Sequence, residues 1–216
     1  MGCTTEFNKW EGITFDADSM TLYNAISDVN KGMEDADTDH DRGTPNHIKL
    51  QENRCGCIMA INVDHAFSGT SAHMLVCGEV NTDPVTNGDD YCSTNNIANP
   101  DNIAMIPEYR QLMIGEDTGR HENNLLWIYE LDIGGMTRVA SVPLGAETTS
   151  PYWFTVGRWS YASLVAQHPS SQAAQVGYIG PIPSIRPAHV PTYHWGRFCL
   201  FGFLHKFVQA LESHQT

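Results

Sequence analysis

Short apolar segments separated by polar turns recur along the chain before residue 185. Three stretches share one order of features: an acidic residue beside a small or polar one, an apolar strand, a polar turn and a second apolar strand. They are WEGITFDADSMTLYNAISD from Trp10, PDNIAMIPEYRQLMIGED from Pro100 and GAETTSPYWFTVGRWSYASLVAQHP from Gly145. Such short runs predict β-strands, and helical periodicity is scarce in this region.

The three stretches indicate a repeat. Their matching acidic starts, Glu11, Asp101 and Glu147, are 90 and 46 residues apart, which fits a repeat near 45 residues with one long insertion. A repeat of about 40 to 45 residues built from short strands is typical of propeller blades. Further strands are expected in CGCIMAINVD, HMLVCGEV, NNLLWIYELDI and MTRVASVPL. The pattern predicts an all-β fold, a partial β-propeller with two complete blades and the first half of a third.

Two polar segments and a tail complete this organisation. GMEDADTDHDRGTPNHIKLQEN after Asp28 and the segment from Thr82 to Pro100 have the composition of surface loops. From Pro183 the sequence changes character, and an apolar stretch from Phe198 to Leu211 predicts a short amphipathic helix, too short to span a bilayer. We therefore expect a propeller region over 1–183 and a separate tail over 184–216.

The net charge of −13 narrows the possible partners. It argues against nucleic acid and anionic membranes, which would repel the chain, and it suits a protein that binds cations. The sequence shows no apolar run long enough to cross a membrane and no signal peptide.

The six cysteines do not have the spacing of a structural zinc site, because no C-x-x-C pair occurs. Buried free thiols are the favoured interpretation for most of them, with disulfides as the alternative in an oxidising compartment.

Polar side chains at the inner strand ends of successive blades should face one another across a central channel. The candidates are Glu11, Asp28, Asp101, Asn102, Glu116, Asp117 and Glu147, with Gln167 and His168 at the end of the third unit. Clustered carboxylates repel one another unless a cation lies between them, and oxygen ligands of this kind match calcium or ferric iron. The alternative is that several of them cap strand ends or accept hydrogen bonds from turn amides.

The other motifs in the sequence do not indicate a binding or catalytic site. The run DADTDHDRG fails the EF-hand template, because His40 stands where glycine is required and Asn46 where glutamate is required. GRHENN around His121 is interpreted as a polar turn rather than a ligand set. The sequence contains no G-x-S-x-G elbow, phosphate-binding loop or dinucleotide fingerprint.

An ordered series of motifs resembles a known family. TTEFNKWEGITFD, YNAISDVNKGM, NPDNIAM, LMIGED, NNLLWIYEL, PLGAETTSPYW and AQHPSS, between about Thr4 and Tyr178, are similar to the later part of the PhoX-type alkaline phosphatases. The resemblance implies a secreted, calcium- and iron-dependent β-propeller that hydrolyses phosphate monoesters. It also makes Glu11 and Glu116 the first choices as metal carboxylates, followed by Asp28 and Glu147, then Asp101, Asn102 and Asp117.

The departures from the family are informative too. Family members are longer, carry an export signal, and supply an iron-binding cysteine and basic phosphate-contacting residues from the region before the Glu11-Gly12 motif. This sequence starts ten residues before Glu11, and none of its cysteines matches. We therefore expect an incomplete phosphatase propeller, periplasmic or extracellular, whose activity depends on completion by the missing blades. Three sources for those blades are open: a second chain, an upstream segment, or none. The alternative is a non-catalytic calcium-binding module; a sugar- or lactone-hydrolysing propeller has less support.

Overall fold

Three antiparallel sheets follow one another along the chain. The computed structural model describes residues 6–40, 46–83, 90–171 and 173–184, all within the compact unit Met1–Arg186. The first blade is β1 (Trp10–Asp16), β2 (Thr21–Ile26), β3 (Cys57–Val63) and β4 (Gly69–Cys77); the second is β5 (Pro100–Ile106), β6 (Gln111–Glu116), β7 (Leu125–Glu130) and β8 (Gly135–Ser141). The third sheet contains β9 (Glu147–Val156), β10 (Trp159–Gln167) and β11 (Gln175–Pro183). Strands within each sheet pair in sequence order, which confirms the predicted all-β, partial propeller.

Side chains from both faces of the blades form the core. In β2, Tyr23 and Ala25 pack in a cluster that also contains Ile103 and Trp127 of the second blade, whereas Ile26 faces the other side of the sheet. Strand positions alternate between faces, so a strand buried on both sides is apolar almost throughout. A separate cluster joins the second blade to the third sheet. The inner strands β1, β5 and β9 are thereby held side by side.

The third sheet differs from the prediction by one strand. Half a blade was expected, but β11 pairs with β10 and extends the sheet to three strands. The glycines and prolines of QVGYIGPIP weaken the strand pattern, yet prolines are tolerated in a strand that lies at a sheet edge. The two remaining predictions in this part of the chain, the helix over 198–211 and the tail over 184–216, fall outside the described residues except for Ser184.

One face of the third sheet is exposed and aromatic. Tyr152 and Phe154 stack with ring centroids 6.4 Å apart, Phe154 stacks on Tyr161 at 5.3 Å, and Tyr161 meets Tyr178 edge-on at 5.7 Å. Tyr152 and Tyr178 remain 62% and 52% exposed. The opposite face, which carries Trp153, packs on the second blade. The aromatic face therefore has the composition of a surface that another sheet could cover.

The polar insertion after Asp28 is partly structural. Val29 and Met33 are buried with Ile26 and Met59 on the outer face of the first blade, so the insertion covers part of that face. Buried Glu6 accepts backbone hydrogen bonds from His47 and Ile48 at 2.7 and 2.8 Å and anchors the returning segment. Within the described part of the chain, no helix has the length and apolar character needed to cross a membrane.

The expectation of free thiols is wrong for four cysteines. Cys55 is bonded to Cys92, and Cys57 on β3 is bonded to Cys77, its direct partner on β4. Residues distant in sequence meet through strand pairing, which no local spacing reveals. Two disulfides are consistent with an extracellular or periplasmic protein, because reducing compartments keep thiols free. Cys3 and Cys199 lie outside the described residues.

Candidate functional site

Equivalent irregularities in the first two blades position two of the predicted carboxylates. Trp10 pairs with Ile26 and Pro100 with Glu116, and each pairing is followed by a break before the next paired residue, Ile13 or Ile103. Glu11 and Asp101 directly follow these first pairs and so occupy the same position in successive blades. Such bulges redirect side chains at strand ends. The predicted equivalence of the acidic starts is confirmed for Glu11 and Asp101, whereas Glu147, the third predicted start, itself forms the first pair of its sheet, with Gln167.

Gly12 brings these two positions close together. A Cβ atom on Gly12 would collide with the backbone of Asp101 and Asn102, so β1 can approach β5 this closely only because residue 12 has no side chain. Gly115 does the same between β6 and Thr148 of β9. Two glycines thus set the spacing of the inner strands, and with it the spacing of the acidic residues beside them.

Asn102 ties this end of β5 to the third sheet. Its Nδ2 donates to Asp101 Oδ1 at 3.1 Å, while its Oδ1 accepts from the backbone N–H of Ser150 at 2.6 Å. Ser150 has a positive φ of 51°, a conformation uncommon for residues other than glycine. The side chain of Asn102 therefore fixes Asp101 relative to the start of β9.

The acidic residues of all three sheets interact at this end of the strands. We call Glu11, Asp101, Asn102, Asp117 and Glu147 the rim cluster. Burial raises the pKa of Asp101, and the negative charges of Glu11, Asp117 and Glu147 raise it further, with Lys9 opposing them. Burial and Asp117 likewise raise the pKa of Glu147, which His168 counteracts. These carboxylates therefore lie close enough to repel one another.

Neighbouring cations and amides partly compensate this repulsion. Lys9 Nζ lies 3.9 Å from Glu11 Oε1, and both side chains are accessible to solvent, so this pair stabilises little by itself. The predicted residues Gln167 and His168 lie beside each other, with Gln167 Nε2 and His168 Nε2 2.8 Å apart. Glu147 of the rim cluster pairs with Gln167 across β9 and β10. Gln167 and His168 therefore lie next to the rim cluster, in the third sheet.

The structure does not bring Glu116 into the rim cluster. Its carboxylate is fully buried and accepts four hydrogen bonds. Oε1 accepts from Trp127 Nε1 at 2.7 Å and from the backbone N–H of Ala98 at 3.0 Å, and Oε2 accepts from the backbone N–H of Leu125 at 2.9 Å and faces His121 Nδ1 at 3.0 Å. These contacts make Glu116 a structural carboxylate that joins β6 to β7 and the preceding loop.

His121 differs in its setting from the polar turn expected around it. The ring is buried, and its Nε2 lies 3.2 Å from the carbonyl oxygen of Ser93. Burial lowers the pKa of His121, but the hydrogen bond and charge of Glu116 outweigh it, and the net pKa is raised. His121 and Glu116 therefore form a buried ion pair beneath the rim.

Asp28 is not a member of the rim cluster but lies beside it, in contact with Arg120. Arg120 Nη2 and Asn99 Nδ2 each lie 3.5 Å from Asp28 Oδ1, at the long limit of hydrogen bonding. Arg120 Nε donates to Asn99 Oδ1 at 3.0 Å, and its guanidinium lies 4.9 Å from the ring centre of Tyr91. Arg120 was not among the predicted site residues, although it stands only three residues after Asp117.

The donor set of the rim cluster suits a hard cation. Its groups are carboxylate and amide oxygens, which calcium prefers and ferric iron accepts. Burial first, and the neighbouring carboxylates second, raise the pKa values of Asp101 and Glu147, and a bound cation would offset both effects. Across the described residues, however, no three acidic, histidine or cysteine side chains converge closely enough to enclose a metal ion. Side-chain rotation or further ligands would be needed to complete a site.

Comparison with known proteins supports the fold. No protein-family model matches the sequence, and no curated protein matches it. Among solved structures, the chain is similar to PhoX from Pseudomonas fluorescens in complex with vanadate, a transition state analogue, with a TM-score of 0.56 and 18% identity over 80% of this chain and 33% of that chain. A nidogen/laminin complex matches at 10% identity and a TM-score of only 0.25, over 80% of each chain. The chain spans about a third of the PhoX chain, and its fold is PhoX-like.

Proposed function

We propose that the chain is part of a PhoX-like phosphatase propeller whose rim cluster binds calcium and ferric iron and acts on phosphate monoesters. The observation that carries this proposal is the electrostatic interaction of Glu11, Asp101, Asp117 and Glu147, which come from three successive sheets. The similarity to PhoX and the ordered motifs add support. Glu116 is omitted from the proposed ligand set because four buried contacts engage its carboxylate, and Asp28 is omitted because it faces Arg120 rather than the rim carboxylates.

The residues of the chain would have simple roles in this chemistry. Glu11, Asp101, Asp117 and Glu147 would supply anionic oxygens, and Asn102 would hold Asp101 in place. A bound cation supplies charge neutralisation for phosphate oxygens and activates an oxygen nucleophile. Catalysis of this kind depends on positioning and electrostatics, so the rigidity given by Gly12 and Asn102 would matter as much as the charges.

Additional blades would complete the propeller. Closed propellers have about four to eight blades, whereas the described residues form two four-stranded sheets and one three-stranded sheet. We propose that another sheet, from a second chain or a further part of a longer protein, covers the exposed face that carries Tyr152 and Tyr178. An uncovered apolar face and open sheet edges favour association.

The test is hydrolysis of p-nitrophenyl phosphate by the purified chain. The assay is run with calcium and iron supplied, without added metal, and after a chelator has removed both metals. We expect turnover that Glu11→Gln and Asp101→Asn abolish and that the exposed control Glu122→Gln preserves. Absence of turnover with both metals present would refute catalysis by this chain.

The second candidate is a non-catalytic cation-binding module. The grouping of Glu11, Asp117 and Glu147 around Asp101 supports it as well, since calcium prefers such oxygen ligands and its binding alone does not require a positioned substrate. Calcium-dependent thermal stabilisation without turnover, lost in Asp101→Asn, would support this candidate over the enzyme.

A further inference from the structure

Arg120 is a guanidinium held in place by its neighbours. Its Nε donates to Asn99 Oδ1 at 3.0 Å, and its backbone N–H donates to Thr118 Oγ1 at 2.9 Å. The guanidinium lies over Tyr91 at 4.9 Å, and the side chain keeps 25% of its surface exposed. An arginine fixed through Nε retains the two Nη groups, which form the outer end of its donor fork.

Asn99 organises this arrangement with both ends of its amide. Nδ2 donates to the carbonyl oxygens of Ser27 at 2.6 Å and Arg54 at 2.9 Å, while Oδ1 accepts from Thr118 Oγ1 at 2.6 Å as well as from Arg120. Asn99 has a φ of 40° and is buried, so it is strongly constrained. It links the ends of β2 and β6 to the loop that carries Arg54.

The contact between Arg120 and Asp28 is loose by comparison. The distance of 3.5 Å from Nη2 to Oδ1 is well beyond the 2.7–2.9 Å typical of strong charge-assisted hydrogen bonds. After the hydrogen bond and the charge of Glu52, the charge of Asp28 also contributes to raising the pKa of a second guanidinium, that of Arg54. Arg54 is half exposed and paired with Glu52 at 2.7 Å. One guanidinium thus contacts the weakly bound carboxylate of Asp28 and a second interacts with it through charge alone, in a chain whose net charge is −13.

The arrangement of Arg120, Asn99 and Asp28 borders the rim cluster. Asn99 lies two residues before Asp101 on β5, and Arg120 lies three residues after Asp117, beyond β6. The backbone N–H of Asp117 donates to the carbonyl oxygen of Asn99 at 3.3 Å. Positive groups and acidic groups therefore lie next to each other at one end of the sheets, an arrangement that suits a ligand carrying an anion beside bound cations.

We propose that Arg120, assisted by Arg54, forms an anion-binding site for a phosphate group, and that Asp28 is an internal counter-ion which the phosphate displaces. The planar fork of arginine matches two phosphate oxygens, and the outer Nη groups are the ones that Asp28 engages weakly. The proposal deepens the proposed function, since it assigns the phosphate-binding part of that same rim, but the binding itself requires no turnover.

Inorganic phosphate is the probe, titrated into the full chain without added metal and followed by calorimetry and by the NMR signal of the Arg120 Nε–H group. Asp28→Asn should tighten binding by about fivefold, because the competing ion pair is long and partly accessible to solvent, and such a pair is worth up to about 1 kcal/mol. Arg120→Gln should weaken binding by about tenfold or more, because it removes charge-assisted hydrogen bonds. Arg120→Lys should also weaken it, since lysine keeps the charge but lacks the fork.

Arg158→Gln is the matched control, because Arg158 lies at the turn between β9 and β10, over Trp159. Melting temperatures of all variants show whether each is folded. If Arg120→Gln does not fold, the phosphate affinities of Asp28→Asn and Arg120→Lys test the proposal instead. Equal weakening by Asp28→Asn and Arg120→Lys would overturn the proposal, because Asp28 would then position the arginine rather than compete with the anion.

The outcomes separate this inference from the proposed function. Phosphate binding that depends on Arg120 without any turnover in the presence of both metals would support the anion site while refuting the phosphatase. Phosphate binding that requires calcium and is unaffected by Arg120→Gln would overturn the anion site while leaving the phosphatase intact. No binding to the wild type or to Asp28→Asn would also overturn it.

Discussion

The indole N–H of Trp127 donates a 2.7 Å hydrogen bond to Glu116 in the core of the second blade. The same carboxylate faces buried His121, so one acidic side chain joins β6, β7 and the loop that follows β6. Glu116, which the sequence predicts as a metal carboxylate, thus lies in a buried hydrogen-bond network beneath the rim.

Replacing Glu116 should therefore destabilise the fold more than it affects cation binding. We expect Glu116→Gln to lower the free energy of unfolding by about 3 kcal/mol, because a buried carboxylate paired with histidine is lost. Urea denaturation measures this, with Glu122→Gln as the exposed control. Unchanged stability together with lost calcium binding would show that Glu116 is a metal ligand after all.

The His121–Glu116 pair predicts a pH dependence of stability. Since the pKa of His121 is raised by folding, its stabilisation is fully present below about 6.5, the unfolded value, and is lost as the pH rises through the folded value. The free energy of unfolding should fall over this range in the wild type and fall less in His121→Gln. An identical pH profile in both proteins would contradict the ion pair.

Calcium should stabilise the chain more at higher pH. Burial and the neighbouring carboxylates raise the pKa values of Asp101 and Glu147 in the fold. Protonation at low pH therefore removes the cost of burying and crowding their charges, and that stabilisation disappears as the pH rises through the folded values. The rise in melting temperature on adding calcium should be larger at about pH 8 than at about pH 5, and smaller in Asp101→Asn. A pH-independent effect would place calcium elsewhere.

The close approach of β1 and β5 can be tested at Gly12. Gly12→Ala should cost about 1 to 3 kcal/mol, since its Cβ would collide with the backbone of β5. Gly119→Ala is the matched control, because a Cβ there would meet nothing within 4 Å. Thermal melts compare the two, and equal stability would mean that the inner strands do not pack as described.

Reduction should destabilise the first blade. The Cys55–Cys92 and Cys57–Cys77 bonds join residues 37 and 20 positions apart. Chain-entropy arguments give each about 3 to 4 kcal/mol. Peptide mapping by mass spectrometry without reduction checks the pairing, and thermal melts with and without reductant check the effect. Detection of free thiols at these four positions would contradict both bonds.

The sequence determined the strand pattern and the blade repeat, because alternation and turn residues are local properties. It also identified Glu11 and Asp101 as equivalent, since both follow the same strand-end pattern in successive blades. The third strand of the last sheet was missed, because its glycines and prolines obscure the pattern of an edge strand.

Tertiary structure alone decided which polar residues meet. Glu116 and Asp117 are neighbours in sequence, yet one is buried among four donors and the other acts on Asp101 at the rim. Adjacent residues of an extended chain point in opposite directions, and the packing between blades determines which direction leads to the core. The pairing of cysteines and the meeting of Arg120 with Asp28 likewise depend on contacts between distant segments, which no local pattern encodes.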